Sequence, residues 1–293
     1  MSIKQSKSRT LFLICNSLIL AVIVVATLYP LLYVVFASLS NPNQLMAARG
    51  AIWKPQGFSL DAYTAVFKND MILQGYKNTA IIVFFGVCLN MALTIIAAFF
   101  YSRKNVMHQK FFTMMMVFTM FFSGGLIPIY LIVKGIGLED TLLALILPGA
   151  INATNVIILR TAFYGIPQSL EESAKIDGAG NFRILRSVII PLALPSIAVV
   201  SLYYIVAHWN SWFNASIYIR NRKLFPLQLV LREILIANDT SRMDMDASLA
   251  DKAMIGETIK YSVIIVATLP VLVVYPFLQK YFVKGVMIGA VKE

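Results

Sequence analysis

Six apolar segments, each long enough to cross a lipid bilayer as a helix, run through this sequence. A spanning helix needs about 20 predominantly apolar residues. Hydrophobic residues make up 59% of the chain and charged residues only 13%, about half the charged share of a typical soluble domain. The sequence therefore predicts an all-α membrane protein with six transmembrane helices, at 11–37, 78–101, 111–133, 142–163, 188–208 and 259–283.

The first segment resembles the start of a secretory signal peptide, because Lys4, Lys7 and Arg9 precede it. Its apolar run is too long for a signal peptide, and the Leu-Tyr-Pro sequence at 28–30 lacks the small residues of a cleavage site. We therefore expect an uncleaved signal anchor with a cytoplasmic N-terminus. A cleaved leader is the alternative.

The distribution of Lys and Arg supports this orientation, since cytoplasmic loops are enriched in both residues. The inner segments then hold 13 basic and 4 acidic residues, whereas the outer segments hold 11 basic and 10 acidic ones. The net charge of +11 thus follows from topology and suits a membrane-lipid environment, so it predicts no nucleic-acid partner. The inner segments are 1–10, 102–110, 160–190 and 279–293, which makes the C-terminus cytoplasmic as well.

The inner loop 167–190 has the pattern of a helix–turn–helix knob. Ser169 precedes Glu172 by three residues, which is the capping-box spacing, so Glu172 is placed to reach back to the Ser169 amide. Gly178 is free to adopt a left-handed backbone conformation that would end this helix, and Asn181 is placed to cap a second one. The small residues expected at the tip of the knob are Ser173, Ala174 and Ala179.

The same loop resembles the motif that marks the permease subunits of binding-protein-dependent ABC importers. Its residues here are Glu172-Ser173-Ala174, Gly178 and then Val188-x-Ile190-Pro191, with conservative departures at 173, 188 and 190. The resemblance implies that a cytoplasmic ATPase docks on the knob. The ATPase-coupling residues would be Glu172, Ser173, Ala174, Asp177, Gly178 and Ala179.

Three further stretches, 122–128, 145–150 and 279–285, resemble the carbohydrate uptake type-1 group, and within it the second permease of oligo- and polysaccharide importers. This resemblance implies a type I ABC importer permease fold in a bacterial cytoplasmic (inner) membrane. It also implies three kinds of partner: a second, different permease, two ATP-binding subunits and an extracytoplasmic solute-binding protein. The substrate would be an oligosaccharide, and acidic fragments such as those of alginate or pectin are among the candidates.

These features divide the chain into a signal-anchor helix with its outer loop (1–77), a core permease domain (78–283) and a cytoplasmic tail (284–293). The dipeptide Gly-Lys of a phosphate-binding loop never occurs. We therefore expect no cofactor in this chain, and ATP and Mg on the partner ATPases.

The outer loop 40–77 predicts a turn followed by a short amphipathic helix. The Ser-Gly-Gly at 123–125 predicts a bend or broken helix in span 3.

Polar residues in mid-span are costly, so each suggests either a functional site or a helix–helix hydrogen bond. Two pairs would each share one face of a helix: Asn90 and Thr94 (i, i+4) in span 2, and Asn152 and Asn155 (i, i+3) in span 4. Each pair would line a path for a hydroxylated substrate or join helices. Tyr204, His208 and Asn210 at the outer end of span 5 would belong to the same path or to an interfacial aromatic belt. The outer strip Arg220, Arg222 and Lys223 would suit an anionic ligand or an acidic rim on the binding protein.

Two other classes of function are less favoured by the residues. A membrane enzyme is unlikely on composition, since His108 and His208 are the two histidines and no H-E-x-x-H or G-x-S-x-G motif occurs. Cys15 and Cys88 lack partners at metal-ligand spacing, so no metal site is expected. A secondary carrier or channel not driven by ATP is the alternative, although the spans contain almost none of the acidic residues that relay ions.

Overall fold

The computed structural model describes residues 7–48, 50–103, 106–237, 258–273 and 276. The regular structure within these residues is helical, and one isolated bridge joins Ser40 to Phe58, which confirms the all-α prediction. The helices are α1 (Lys7–Ser38), α2 (Pro42–Ala47), α3 (Asp61–Lys68), α4 (Asp70–Ser102), α5 (Gln109–Phe121), α6 (Leu126–Gly135), α7 (Ala153–Tyr164), α8 (Gln168–Ile176), α9 (Asn181–Ile184), α10 (Ile190–Leu192), α11 (Leu194–Trp209), α12 (Trp212–Tyr218), α13 (Leu227–Ala237) and α14 (Thr258–Val273).

Each predicted span falls on apolar helix, but among the described residues only α1 and α4 are long and apolar enough to cross a membrane without interruption. Three other candidates are bent pairs: α5 with α6 at 110°, 142–149 with α7 at 51°, and 181–192 with α11 at 85°. The shorter apolar helix α14 is the described part of the predicted sixth span. The rest of that span lies outside the described residues, as do the tail 284–293 and the polar segment 238–252.

The bend between α5 and α6 lies where the glycines predicted a broken helix. Residues 122–125 are not helical, and Gly125 has a φ of +87°, a conformation that strains residues with a β-carbon. Pro128 follows in the first turn of α6, where its missing N–H costs no hydrogen bond. The prediction of a break in span 3 is confirmed.

Spans 4 and 5 depart from the predicted continuous helices. The 3₁₀ turns Leu142–Leu145 and Leu147–Gly149 precede α7, which begins only at Ala153. The long helix of span 5 begins at Leu194 instead of 188, because Pro191 and Pro195 flank a turn at Ala193.

The described residues form two compact units, and the larger contains those within 71–232 and 269–276. Its described core lies between α4, α7, α11 and the π-type turn Leu185–Ile189. Ala174 and Ala179 of the predicted knob pack against this core, so the knob is built directly onto the helices of the unit. The buried apolar members are Met91, Ala98, Val156, Leu159, Phe163, Ile184, Leu185, Ile189, Ala193, Val200 and Tyr204.

The smaller unit contains the described residues within 1–70 and 233–268. Within its described residues, the Ser38 and Tyr63 hydroxyls lie 2.8 Å apart, and the Tyr33 and Tyr261 rings are 5.8 Å apart between centroids. Helix α3 buries one apolar face and exposes its other side, which confirms the amphipathic helix predicted for 40–77. The predicted domain limits at 77 and 283 stay predictions.

Candidate functional site

The inner loop folds as a helix, a tight turn and a second helical segment. Gly178 makes the turn with a φ of +78°. The Gly178 N–H donates to the Lys175 carbonyl at 3.0 Å, and the Ala179 N–H donates to the Ala174 carbonyl at 2.9 Å. These two bonds close the C-terminus of α8 in the manner of a glycine-terminated helix. The left-handed conformation predicted for Gly178 is confirmed.

Both predicted helix caps in this loop are wrong. Helix α8 begins at Gln168 with Pro167 at the N-cap, and no side chain caps it. Ser169 therefore lies inside the helix, where it has no part in a capping box. Gly180 occupies the N-cap of α9, so Asn181 is its first helical residue. The helix starts at Gln168, one residue before the serine, so Ser169 is its second residue.

The predicted coupling residues divide into an exposed set and a half-buried set. Glu172, Ser173, Asp177 and Gly178 are exposed, whereas Ala174 and Ala179 are half-buried against the core. The two alanines thus hold α8 close to the helices beneath it and contribute less to the tip than predicted. Two large apolar side chains instead stand out beside the exposed set: Ile176 is 87% exposed and Phe182 76% exposed.

A buried ion pair anchors α8 to the end of α4. Glu171 accepts a hydrogen bond from the Arg103 guanidinium, and the two side chains are 9% and 20% exposed. The same guanidinium donates to the Ser102 hydroxyl at 3.2 Å and 3.1 Å and lies 4.6 Å from the centre of the Phe99 ring. Sequence reasoning considered only Glu172, because adjacent glutamates give no sign of which one the helix buries.

Two other helices also form hydrogen bonds with the end of α4. The Tyr101 carbonyl accepts hydrogen bonds from Gln109 Nε2 at 2.8 Å and from Arg160 Nε at 2.9 Å. These donors come from α5 and α7, and they satisfy a carbonyl that the last turn of a helix leaves without an internal partner. The C-terminal end of α4 is therefore the point where α5, α7 and α8 are joined.

In the middle of α4, Asn90 forms the first of two sets of polar contacts that join spans 2, 4 and 5. We call each set a polar rung. Its side-chain amide donates to the Gly149 carbonyl at 2.8 Å and to the Ala150 carbonyl at 2.9 Å. Its Oδ1 lies 2.6 Å from His208 Nε2. Because an amide oxygen only accepts, His208 must carry its proton on Nε2. Both side chains are buried, Asn90 completely.

One helical turn further along, Tyr204 forms the second rung. Its hydroxyl lies 2.8 Å from the Thr94 hydroxyl and accepts from the Asn152 N–H at 3.1 Å. Asn152 is the N-cap of α7, and its Oδ1 accepts from the Asn155 N–H at 3.1 Å. The i, i+3 spacing of the two asparagines, which predicted a shared face of one helix, is therefore a capping interaction at a helix break.

The substrate-path candidates thus lie in two environments. Asn90, Tyr204 and His208 make interhelical hydrogen bonds. Such bonds were the alternative interpretation for Asn90, whereas the alternative for Tyr204 and His208 was an interfacial aromatic belt. Asn152 is exposed at the break. Asn155 is buried in α7, and Asn210 is exposed just beyond α11. Their contribution to a substrate path stays a prediction.

Removing the Tyr204 hydroxyl tests the second rung. We expect Tyr204→Phe to lower the free energy of unfolding by about 1–3 kcal/mol, because it leaves buried polar groups without their partner. Denaturant unfolding of the purified chain in mixed micelles measures the change. Tyr203→Phe is the matched control, since Tyr203 is 46% exposed. Equal losses from the two variants would contradict the rung.

On the outer side, Arg220 belongs to a second ion pair. Its Nη2 lies 2.8 Å from Glu139 Oε1, and the Tyr130 hydroxyl donates to the same oxygen at 2.8 Å. The Tyr130 hydrogen bond and then the Glu139 charge raise the pKa of Arg220 above its usual value. The Asp140 carboxylate accepts the Arg220 and Asn221 amides at 3.0 Å and 2.8 Å. Arg220 therefore serves to fix one loop against another.

The neighbouring backbone is fixed to the outer part of α4. Asn78 Nδ2 donates to the Lys223 carbonyl at 2.8 Å and to the Phe225 carbonyl at 3.0 Å. The Leu227 N–H donates to the Thr79 hydroxyl at 2.9 Å. Arg222 and Lys223 remain exposed, so the outer strip presents its charges from a firmly held main chain. Their predicted contact with a binding protein stays a prediction.

The fold and the knob together define a class of protein: a helical membrane protein with broken spans and an ordered helix–turn–helix loop. Residues 91–288 match the family of binding-protein-dependent transport system inner membrane components. The chain belongs to this family and is the membrane-spanning permease subunit of an ABC importer.

Named relatives extend the similarity over nearly the whole chain. The chain is 41% identical to the polygalacturonan/rhamnogalacturonan transport system permease protein YtcP of Bacillus subtilis, covering 90% of this chain and 92% of that one. It is 39% identical to the protein LplC of the same organism, covering 98% and 97%. A permease chain from the crystal structure of a bacterial ABC transporter that imports the acidic polysaccharide alginate superposes with a TM-score of 0.86 at 29% identity, covering 95% and 99%.

Proposed function

We propose that this chain and a second, different permease together form the path by which an oligosaccharide crosses a bacterial cytoplasmic membrane. An extracytoplasmic binding protein delivers the saccharide, and two ATP-binding subunits drive the transfer. The observation that carries the proposal is the ordered knob, whose exposed Glu172, Asp177 and Gly178 are held by the core beneath them. The exposed apolar side chains of Ile176 and Phe182 beside them favour a protein partner for this surface.

We further propose that the oligosaccharide is acidic. Two of the similar proteins are described by acidic polysaccharides, polygalacturonan/rhamnogalacturonan for one and alginate for the other. The outer strip of this chain supplies exposed positive charge at Arg222 and Lys223, and positive charge attracts anionic ligands toward a surface. Such charge would raise the concentration of an anionic saccharide, or of an acidic binding protein, at the outer face.

ATP and Mg would be held by the partner subunits. The chain lacks the Gly-Lys of a phosphate-binding loop, whose lysine and hydroxyl residues contact the nucleotide phosphates and Mg²⁺. In this arrangement the permease hydrolyses no ATP itself. Its N- and C-termini lie in the cytoplasm, consistent with the positive charge of the inner segments.

Helix α4 would carry the mechanical connection between the two faces. Its cytoplasmic end is tied to the knob through Arg103 and Glu171, and its outer part is tied to the Lys223 and Phe225 main chain. It is an uninterrupted helix of 33 residues, so a displacement at one end is transmitted along its length. Closure of the ATPases against the knob would then move α4 and its polar rungs as one body.

Purification of the transporter from its native membrane tests this function. The tagged chain, extracted in mild detergent, should bring with it a second permease and a P-loop ATPase. Reconstituted vesicles that contain the binding protein should take up oligogalacturonides in the presence of ATP, and take up neutral maltodextrins much more slowly. A chain that purifies alone and moves saccharide without ATP would instead support a secondary carrier.

Two substitutions at Gly178 separate the effect of backbone strain from the effect of blocking the contact with the ATPase. The space around a β-carbon at Gly178 is empty, so Gly178→Ala meets only the backbone strain of about 1 kcal/mol. We expect Gly178→Trp to assemble but to lose most ATP-driven uptake, because a large side chain would stand between the knob and the ATPase. Uptake and ATPase activity of both variants, measured in the same vesicles, check this. Normal uptake by an assembled Gly178→Trp transporter would remove Gly178 from the contact.

A further inference from the structure

The fourth span is interrupted by a short stretch of non-helical main chain. A 3₁₀ turn ends at Gly149, and α7 begins at Ala153. Ile151 is 53% exposed, and Asn152 is exposed beside it. Peptide groups outside a helix need partners from protein or water, because hydrocarbon offers none. We call residues 149–152 the span-4 break.

The two polar rungs place this break at the centre of the membrane. Asn90 lies at the middle of the predicted span 78–101, and it donates to the Gly149 and Ala150 carbonyls. Tyr204 accepts from the Asn152 N–H in the second rung. The side chains that form both rungs belong to α4 and α11, so they contact the span-4 break from that side. The side chain of Ile151 is left exposed.

Irregular main chain at this depth is found only where it is buried in protein or lines a water-filled cavity. We propose that the span-4 break lines the water-filled path through which the saccharide passes, with Ile151 and Asn152 at its surface. The proposal rests on the import function proposed above. Asn152 then keeps its predicted place on the path, whereas Asn90, Tyr204 and His208 hold the break from behind.

A hydrated break has the chemistry that a saccharide needs. The Asn152 side-chain NH2 group offers donors to hydroxyl groups, and its Oδ1, which already accepts from the Asn155 N–H, keeps a second lone pair as an acceptor. Discontinuous transmembrane helices place such groups near the midplane in other transporters. The second permease is the competing occupant of this surface, and it would exclude water from Ile151.

Cysteine labelling in the complete transporter distinguishes a water-filled path at the span-4 break from a contact with the second permease. The test chain carries Ile151→Cys with Cys15→Ser and Cys88→Ser, and the control chain carries Cys15→Ser alone. The control cysteine, Cys88, is exposed on α4 two residues before Asn90, so it lies at the same depth on a regular helix. Vesicles are treated with a charged, membrane-impermeant methanethiosulfonate, and labelling of this chain is followed by mass spectrometry. Asn152→Cys is a second reporter should Ile151→Cys impair assembly.

We expect the cysteine at 151 to react at least about tenfold faster than Cys88, because thiols react as thiolates, which form in water and not in hydrocarbon. An oligogalacturonide, delivered by the binding protein, should slow the faster reaction. Equal slow rates, or a fast rate that the saccharide leaves unchanged, would overturn the proposal. Uptake measured in the same vesicles separates this result from a failure of the import function, since vesicles that import normally with an unreactive break would leave that function intact.

Discussion

Glu171→Gln is expected to lower the free energy of unfolding by up to about 3 kcal/mol, since removing one partner of a buried ion pair leaves the other charge uncompensated. Arg103 is the group left behind, and its side chain is only 20% exposed. Because a domain is stable by only about 5–15 kcal/mol, the loss should also reduce the amount of assembled transporter. Denaturant unfolding in mixed micelles and the yield of complex are the two measurements.

Glu172→Gln is the matched control, because it makes the same chemical change at the next residue. Glu172 is exposed, so this variant should unfold like the parent chain and alter only ATP-driven uptake. The double variant Arg103→Leu with Glu171→Leu should recover much of the lost stability, as apolar replacements of buried ion pairs often do. Equal stability losses from the two glutamine variants would show that the ion pair does not anchor α8.

Gly86→Ala should be a strongly destabilising single-methyl change in the described core. A β-carbon at Gly86 would lie 2.5 Å from His208 Nε2, so the ring must move away from Asn90. Overpacking costs about 1–3 kcal/mol, and an unsatisfied buried amide oxygen costs about 1–3 kcal/mol more. The free energy of unfolding of the purified chain measures the sum.

Two comparisons make this prediction specific. Gly135→Ala introduces the same methyl group where no atom lies within 4 Å, and it should change the stability little. In a His208→Ala background, Gly86→Ala should add almost no further loss, because the ring that it meets is gone. Such non-additivity is what a double-mutant cycle reports for residues in contact. Additive losses would mean that Gly86 and His208 do not meet.

Several features of the fold were predictable because their causes are local. The apolar segments gave the spans through their length and composition alone. Gly178 and the glycines at 124 and 125 marked turns because only glycine adopts these conformations without strain. The helix–turn–helix pattern of 167–190 was likewise recognisable from residues a few positions apart.

Other predictions failed because the deciding contacts are distant in sequence. The capping motifs at Ser169 and Asn181 match their local patterns, yet the helices begin elsewhere. The helical phase of α8 turns Glu171 inward to a guanidinium 68 residues away, and no property of adjacent glutamates reveals this. The i, i+3 pair Asn152 and Asn155 looked like one face of a helix, because its position at a break is visible only in the fold.

The sequence by itself determined that this chain is a multi-span helical permease with an ordered inner loop, because hydrophobic length, charge distribution and a local motif are sufficient for that. Only the tertiary structure decided which polar residues form hydrogen bonds between helices and which remain exposed. Asn90 and His208 are 118 residues apart and become partners at 2.6 Å, which requires α4 and α11 to pack against each other. A polar side chain in a membrane must find a partner, and the three-dimensional arrangement of helices alone decides which partner it finds.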